Sequence, residues 1–318
     1  LLLKKSYLNK SLSHANIIAG PKGIGKSTFI HYFISKLYNV FEENNESDNI
    51  SNLIYNYSHP NFIYVNKIIN DKTNKIKNFI TVEQIRNLSS FIYKSSIDKL
   101  PKIILIDDSD QLNINAANSL LKLLEEPRKN TYFFLISHNI SNLIPTIRSR
   151  CIKFNLIKPN YEDFSKILLS KDDSLSEKDI SFLFDISNHS PGLALNLFSN
   201  NIHDHYLNII ELFKNNSLNL KLIDFSNQIS KQTNDQYLNF LTLIKFILIN
   251  LIKIYLGINL KDNFISDLPK SLDNLLSTIN IYQCIKMYEY IEKNQKDLFT
   301  FNLDKKIFTQ NLFQHKNY

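Results

Sequence analysis

The residues with the clearest capacity for chemistry lie between Gly20 and Thr28, where the chain reads Gly-Pro-Lys-Gly-Ile-Gly-Lys-Ser-Thr. Gly20, Gly25, Lys26 and Ser27 fit the pattern GxxxxGKS/T, which binds nucleotide phosphates when it joins a strand to a helix. Glycines let backbone N–H groups close around phosphate oxygens, and the positive end of the helix adds to the attraction. We therefore predict a nucleotide site; the alternative is a glycine-rich turn that arose by chance.

The chemistry assigns a role to each part of this phosphate loop, residues 20–28. Lys26 is expected to reach the terminal phosphates, and the Ser27 hydroxyl is expected to hold Mg²⁺. The expected cofactors are thus ATP or ADP, together with Mg²⁺. The other predicted cofactor-binding residues of the loop are Gly20, Pro21, Lys22, Gly23, Ile24, Gly25 and Thr28.

Two carboxylates follow a run of four branched apolar residues, 103–106. Such a run fits a central parallel strand that is buried on both faces, and acids at its carboxyl end lie where open α/β sheets bind ligands. We expect Asp107 to hold Mg²⁺, usually through water, and Asp108 to occupy the position of the base that activates the attacking water. The alternative is a pair of acids that only ends a strand.

Two polar residues at the end of the next apolar strand, Ser137 and Asn139, are expected to sense the terminal phosphate. This assignment rests on their position alone. The alternative is that they are only the polar residues that end most buried strands.

Apolar periodicity predicts the elements that carry these groups. Buried strands are predicted at 16–19, 61–65, 102–106 and 131–137. Helices are predicted at 28–37, 82–94 and 115–126, and beyond Pro159 at 161–169, 176–186, 191–198 and through most of 202–318. Strands that alternate with helices predict a three-layer α/β domain with a mainly parallel sheet, here followed by helical segments.

One long apolar stretch, 240–256, raises the question of a membrane span. Lys245, Asn250 and Lys253 interrupt it, whereas a spanning helix needs about 18 or more residues with almost no charge. Its apolar residues form one stripe, so we predict a buried or interface helix and no membrane partner.

Composition narrows the class of protein. The net charge is +7 and the sequence pI is about 9.1, values that invite a nucleic-acid interpretation. No block of basic residues stands out, so we expect most lysines to lie on solvated faces. Cys151 and Cys284 are far apart, which argues against a disulfide framework and for a reducing, cytoplasmic setting.

Several longer motifs resemble the clamp-loader branch of the AAA+ ATPases. They are the stretch 107–127, with Ala-Asn-Ser-Leu-Leu-Lys-Leu-Leu-Glu-Glu-Pro, and the stretch 145–151, which ends in Ser-Arg-Cys. Further similarity lies at 58–61, 80–86 and 303–306. The resemblance implies an AAA+ nucleotide-binding domain at 1–157, a small helical lid at 158–201 and an all-α collar at 202–318 that joins a five-subunit ring.

The resemblance also implies partners and one further residue. Motor subunits of the gamma/tau kind and a delta subunit complete the ring, which loads the sliding clamp on primer-template DNA in the bacterial cytoplasm. Arg150 of Ser-Arg-Cys resembles the arginine finger that reaches the ATP site of the neighbouring subunit. The alternative is a solvated or salt-bridged surface arginine.

Departures from the family pattern bear on catalysis. Residues 38–60 contain no cysteine, so the zinc module of many relatives is not expected. Motor subunits have Glu where this chain has Asp108, and an Arg in the lid where this chain has Leu193. We therefore expect a subunit that binds nucleotide with little turnover of its own. The alternative is a self-sufficient AAA+ motor subunit, which the intact phosphate loop keeps open.

Overall fold

The computed structural model describes residues 2–39, 47–70, 75–76, 79–94, 100–214, 220–260, 266 and 268–314. The chain forms two compact units, 1–158 and 159–318. The boundary between the units lies next to the one predicted at residue 157. The further division into lid and collar at residue 201 stays a prediction.

The first unit contains seven strands and six helices in its described part. The strands are β1 (Ala15–Ala19), β2 (Phe62–Val65), β3 (Ile69–Asn70), β4 (Lys75–Ile76), β5 (Lys102–Ile106), β6 (Thr131–Ser137) and β7 (Ile152–Asn155). The helices are α1 (Leu2–Leu8), α2 (Lys26–Tyr38), α3 (Ser47–Tyr55), α4 (Val82–Tyr93), α5 (Ile114–Glu125) and α6 (Pro145–Arg150). Short 3₁₀ helices lie at Ser109–Gln111 and Ile140–Asn142.

Five of these strands form one parallel sheet in the order β2-β5-β6-β1-β7, and β3 and β4 form a separate antiparallel pair. The four predicted strands are confirmed to within one residue at either end. The strand β7 was not predicted: Ile152 at its start is half-exposed, so this edge strand lacks a continuous apolar run.

Alternate residues of the central strands point to opposite faces of the sheet, and each face carries its own core. Ile17, Ile104 and Phe133 are buried with residues of α4 and α5. Ile18 and Phe134 belong to a second cluster that includes residues of α2 and α3. The predicted three-layer α/β fold is therefore confirmed.

All the secondary-structure elements described in the second unit are helices. Its helices are α7 (Tyr161–Leu169), α8 (Glu177–Ile186), α9 (Pro191–Ser199), α10 (Ile202–Lys214), α11 (Leu220–Ser230), α12 (Asn234–Tyr255), α13 (Leu268–Asp273), α14 (Ile281–Thr300) and α15 (Lys305–Gln314). One cluster of buried residues runs from Phe164 in α7 to Phe313 in α15, so the predicted lid and collar segments share a hydrophobic core.

The helix α12 lies in that core. By length and composition it is the one helix of the described residues that could cross a membrane. Its stripe residues Leu241, Ile244, Leu248 and Leu251 are fully buried against the other helices of the unit. This packing agrees with the predicted buried helix, because a core helix passes the same test of length and composition.

A buried lysine donates hydrogen bonds to the carbonyl groups at the end of α4. Lys102, at the start of β5, is 5 % exposed, and its Nζ donates to the carbonyl oxygens of Phe91 at 2.5 Å, Ile92 at 3.2 Å and Lys94. The last carbonyls of a helix have no partner within the helix, so this ammonium supplies the missing donors. Burial lowers the pKa of Lys102, and the nearby Arg128 and Lys94 lower it further.

We predict that Lys102→Met destabilises the first unit, because it removes the donor and leaves buried carbonyls unpaired. The expected loss is about 1–3 kcal/mol in the free energy of unfolding. Urea unfolding followed by circular dichroism measures it. The matched control is Lys153→Met, which removes an exposed strand lysine from β7. If both variants unfold at the same urea concentration, Lys102 does not stabilise the end of α4.

Candidate nucleotide site

The phosphate loop connects the buried strand β1 to the helix α2. Gly20, Gly23 and Gly25 have φ angles of +153°, +80° and +92°, which side chains disfavour. A Cβ atom at Gly20 would lie 2.7 Å from Cδ1 of Ile24 and 2.8 Å from the carbonyl oxygen of Leu156. No side chain caps α2 at Gly25, so the first N–H groups of the helix stay available to an anion.

Lys26 lies folded over this loop and is 3 % exposed. Its Nζ donates to the carbonyl oxygens of Gly20 at 2.7 Å and Pro21 at 2.6 Å. Burial lowers its pKa to about 8, an effect that the negative charges of Asp107 and its neighbours oppose. A phosphate group in the loop would offer the ammonium a charge-assisted hydrogen bond, which is stronger than a bond to a neutral carbonyl.

Asp107 follows β5 directly and is held in one orientation. Its N–H donates to the carbonyl oxygen of Val65 at 2.8 Å. Its Oδ1 accepts from the N–H of Asp108 at 2.9 Å, and its Oδ2 accepts from the hydroxyl of Tyr64 at 3.1 Å. Burial raises the pKa of Tyr64, and the charge of Asp107 raises it further, so the phenol stays a donor.

Asp108 adopts a left-handed backbone conformation, with φ 53° and ψ 40°, which is uncommon for a residue with a side chain. Its Oδ1 lies 2.7 Å from Nε2 of His138, and its Oδ2 lies 2.9 Å from Nζ of Lys67. The hydrogen bond from His138 lowers the pKa of Asp108 far below its usual value, and Lys67 lowers it further against the opposing effect of burial. The residue in the base position is thus an anion with both oxygens occupied.

The two predicted phosphate sensors have different surroundings. Ser137, at the end of β6, is buried next to the loop, and its carbonyl oxygen accepts from the N–H of Gly20 at 3.3 Å. Within the described chain its hydroxyl has no hydrogen-bond partner. Asn139 is exposed, and its Oδ1 accepts from the N–H of Ser141 at 3.1 Å, which caps a 3₁₀ helix. The side chain that reaches the acidic strand end is that of His138, between them.

The oxygen ligands expected for Mg²⁺ fit this ion. Ser27 offers a hydroxyl at the start of α2, and Asp107 offers a fixed carboxylate, the ligand type that Mg²⁺ takes alongside substrate phosphates. Ligand atoms of Asp107, Asp108 and His138 also lie within 4.8 Å of one another. A bound Mg²⁺ would neutralise phosphate charge here. The binding roles of all these residues stay predictions.

Arg150 is the last residue of α6 and is partly exposed. Its Nη2 lies 2.7 Å from Oε1 of Glu125, and its Nη1 donates to the carbonyl oxygen of Thr146 at 3.0 Å. The structure therefore contains the surface salt bridge that was the alternative to an arginine finger. A half-exposed pair of this kind contributes little to stability, so it leaves the arginine free to change partners.

Three residues of the site were not predicted from the sequence: Tyr64 in β2, Lys67 after β2, and His138 after β6. Lys67 lies just before the lysine- and asparagine-rich segment 70–78, which was predicted as a turn. The missing signal for Tyr64 and Lys67 was the pairing of β2 with β5, which places them beside the carboxylates. For His138 it was the pairing of β5 with β6.

Comparison with known proteins places the chain among replication proteins. Residues 1–160 match the model of the family described as "DNA polymerase III, delta subunit". "DNA polymerase III subunit delta'" of Buchnera aphidicola from Acyrthosiphon pisum is 28 % identical over 91 % of this chain and 82 % of its own length. The protein of the same name from Escherichia coli is 33 % identical over 39 % of this chain and 37 % of its own length.

A second kind of subunit is also similar. "DNA polymerase III subunit gamma" of Buchnera aphidicola from Schizaphis graminum is 30 % identical over 69 % of this chain and 60 % of its own length. The chain thus spans most of the first of these three relatives and about two fifths to three fifths of the other two. The family match covers half of the chain and contains every residue of the nucleotide site. The clamp-loader resemblance of the motifs is confirmed: the chain belongs to the DNA polymerase III delta-subunit family, and several of its relatives carry the name delta-prime.

Proposed function

We propose that this chain is the delta-prime-type subunit of a bacterial clamp loader and that it holds ATP or ADP with Mg²⁺ while hydrolysing little by itself. The observation that carries this proposal is the contrast between two halves of one site. The phosphate loop has the glycine geometry and the buried lysine of a binding site, whereas both oxygens of Asp108, at the predicted base position, are engaged by Lys67 and His138.

The binding half rests on groups that attract phosphate. The N–H groups at the start of α2 point at the loop, and Lys26 adds a buried ammonium. Helix N-termini and loop amides together bind phosphates without further side chains. Ser27 and Asp107 would hold the Mg²⁺ that accompanies the nucleotide.

The low turnover rests on Asp108. Activation of water requires a carboxylate that is free to accept a hydrogen bond from the attacking water. Both oxygens of Asp108 are engaged, by Lys67 and by His138, and the side chain is shorter than the Glu of motor subunits. In the second unit, Leu193 packs against the hydrophobic core and has no charge to offer a nucleotide.

The second candidate function is a self-sufficient motor ATPase of the gamma/tau kind. The intact phosphate loop and the 30 % identity to a gamma subunit favour it. Robust turnover by the purified chain without partners would support this candidate and contradict our proposal.

The assembly follows from the family. We infer that the chain joins motor subunits and a delta subunit in a cytoplasmic complex that loads the sliding clamp on primer-template DNA, with residues 158–201 as lid and 202–318 as collar. The names of the relatives support a place in DNA polymerase III. In α14 the exposed apolar side chains Tyr282 and Ile285, 55 % and 38 % exposed, offer a surface to a partner.

Arg150 is proposed as a finger that acts on the nucleotide of a neighbouring subunit. Its guanidinium always carries a charge and presents a rigid set of donors that suits phosphate oxygens. In the isolated chain Arg150 pairs with the exposed carboxylate of Glu125. In the assembled complex it would pair instead with the γ-phosphate of the neighbouring subunit.

We predict that Lys26→Ala abolishes the binding of a fluorescent ATP analogue to the purified chain. The substitution removes the buried ammonium that is expected to bind the phosphates. Equilibrium titration measures the effect. Lys36→Ala is the matched control, since Lys36 lies on the same helix but is exposed, with its ammonium over the ring of Tyr32. Equal affinities of the two variants would show that the loop does not bind the phosphates.

We predict that Arg150→Ala leaves nucleotide binding by the chain unchanged but lowers the clamp- and DNA-stimulated ATPase of the reconstituted complex. An arginine supplied in trans contributes about 10³–10⁵ in rate at the site that it completes. Only the neighbouring site that receives Arg150 loses this contribution, and Arg150→Lys should restore little, because a point charge does not replace the planar donors.

The control for this prediction is Arg148→Ala, which removes a second exposed arginine from α6. Steady-state ATPase is measured after gel filtration has shown that each complex is fully assembled. Unchanged turnover of an assembled Arg150→Ala complex would rule out the finger.

We predict that Ile285→Lys weakens co-elution with the gamma and delta subunits, because it places a charge on the exposed apolar face of α14. Gel filtration of the mixed subunits measures it. Ile223→Lys is the control, since Ile223 is 45 % exposed on α11, another helix of the same unit. If both variants co-elute like the unchanged chain, this face of α14 does not join the ring.

A further inference from the structure

Five rings pack together behind the phosphate loop. They belong to His31 in α2, Tyr55 in α3, Tyr57, and Phe62 and Tyr64 in β2, and we refer to them as the aromatic cluster. The centroids of the other four rings all lie 5.7–5.8 Å from that of His31. The rings of Tyr57 and Tyr64 stack at 4.3 Å with an angle of 12° between their planes. His31 is 4 % exposed, so these contacts fix its imidazole.

One member of the cluster contacts an expected Mg²⁺ ligand. The side-chain N–H of Asn66 donates to the phenol oxygen of Tyr64 at 2.9 Å. Since the oxygen receives that hydrogen bond, its own proton goes to Oδ2 of Asp107, 3.1 Å away. The chain of donors from Asn66 through Tyr64 therefore sets the rotation of the Asp107 carboxylate.

A second member contacts the other expected ligand. Nδ1 of His31 lies 2.8 Å from the carbonyl oxygen of Ser27 and 3.4 Å from its hydroxyl. A carbonyl only accepts, so Nδ1 carries a proton. Nε2 is buried and has no hydrogen-bond partner among the described residues. His31 thereby holds the first turn of α2 at the residue whose hydroxyl is expected to bind Mg²⁺.

We propose that Tyr64 and His31 are positioning residues of the nucleotide site, which orient Asp107 and Ser27 for Mg²⁺ from outside the phosphate loop. This inference rests on the proposed function, because it assumes that the site takes a nucleotide with its metal. The effect of Tyr64 and His31 passes through the two oxygen ligands, whose geometry Mg²⁺ requires to be close to octahedral.

The cluster joins the two ligands into one unit. Asp107 follows β5 and Ser27 lies in the first turn of α2, and the residues that hold them contact each other through the rings of His31 and Tyr64. Residues that orient metal ligands in this way typically contribute 10–100-fold to metal affinity. Their loss should therefore weaken the nucleotide only when Mg²⁺ is present.

The test is calorimetric titration of ADP into the full chain, once with Mg²⁺ and once with EDTA. The quantity measured is the ratio of the two dissociation constants, which isolates the metal from other effects on binding. For Tyr64→Phe, which keeps the stacked ring and removes only the hydroxyl, we expect the benefit from Mg²⁺ to fall by about 10-fold or more. The matched control is Tyr57→Phe, the same change on the neighbouring half-exposed ring, because the hydroxyl that donates to Asp107 is that of Tyr64.

A second pair of variants tests His31. His31→Leu removes the donor to Ser27 and should reduce the benefit from Mg²⁺, whereas the side-chain amide of His31→Asn can still donate and should restore part of it. Thermal melting of all four variants separates a loss of fold from a loss of positioning, because only the metal-dependent ratio reports on the ligands.

The outcomes are distinguishable. If the unchanged chain does not bind ADP under either condition, the proposed function fails, and the inference fails with it. If ADP binds but Mg²⁺ has no effect on the unchanged chain, nucleotide binding stands and the positioning role is overturned. The role is also overturned if Tyr64→Phe keeps the full benefit from Mg²⁺, or if Tyr57→Phe loses as much as Tyr64→Phe does.

Discussion

The site depends on the register of three parallel strands. Ala19 of β1 pairs with Ser137 of β6, and Ile106 of β5 pairs with Leu135 of β6, so the three strands end at one edge of the sheet. Different functional groups follow the three strands at that edge: Gly20 and the phosphate loop follow β1, the two carboxylates follow β5, and His138 follows β6. A shift in register by one residue would turn each of these side chains to the other face.

The charges at this edge support the proposal that the site holds a nucleotide with little hydrolysis. Carboxylates of Asp107 and Asp108 would repel phosphate, but Lys26 lies over the loop and Lys67 pairs with Asp108. Asp107, in contrast, accepts hydrogen bonds from a neutral phenol and a backbone N–H, which leave its negative charge for a metal ion. The site thus separates a carboxylate that is proposed to serve Mg²⁺ from one that already pairs with Lys67 and His138.

The sequence alone was sufficient to predict those strands and site residues that a local sequence pattern defines. Buried strands show continuous apolar runs, and the phosphate loop shows glycines, Lys26 and Ser27 at fixed spacing, so fold and loop could be predicted. Lys67, His138 and Tyr64 carry no such pattern, because they act through strand pairing between residues 30 or more positions apart. The salt bridge of Arg150 with Glu125 likewise depends on how the end of α6 packs beside the end of α5.

The central claim is that the loop between β1 and α2 holds a nucleotide phosphate, and hydrogen exchange of the full chain tests it most directly. The amides of residues 20–27 have few hydrogen bonds within the chain and should exchange fast without a ligand. Addition of Mg²⁺ and ADP should slow exchange in the peptide that contains these residues, while peptides from α14 in the second unit stay unchanged. Equal exchange of the loop peptide with and without saturating nucleotide would contradict the account.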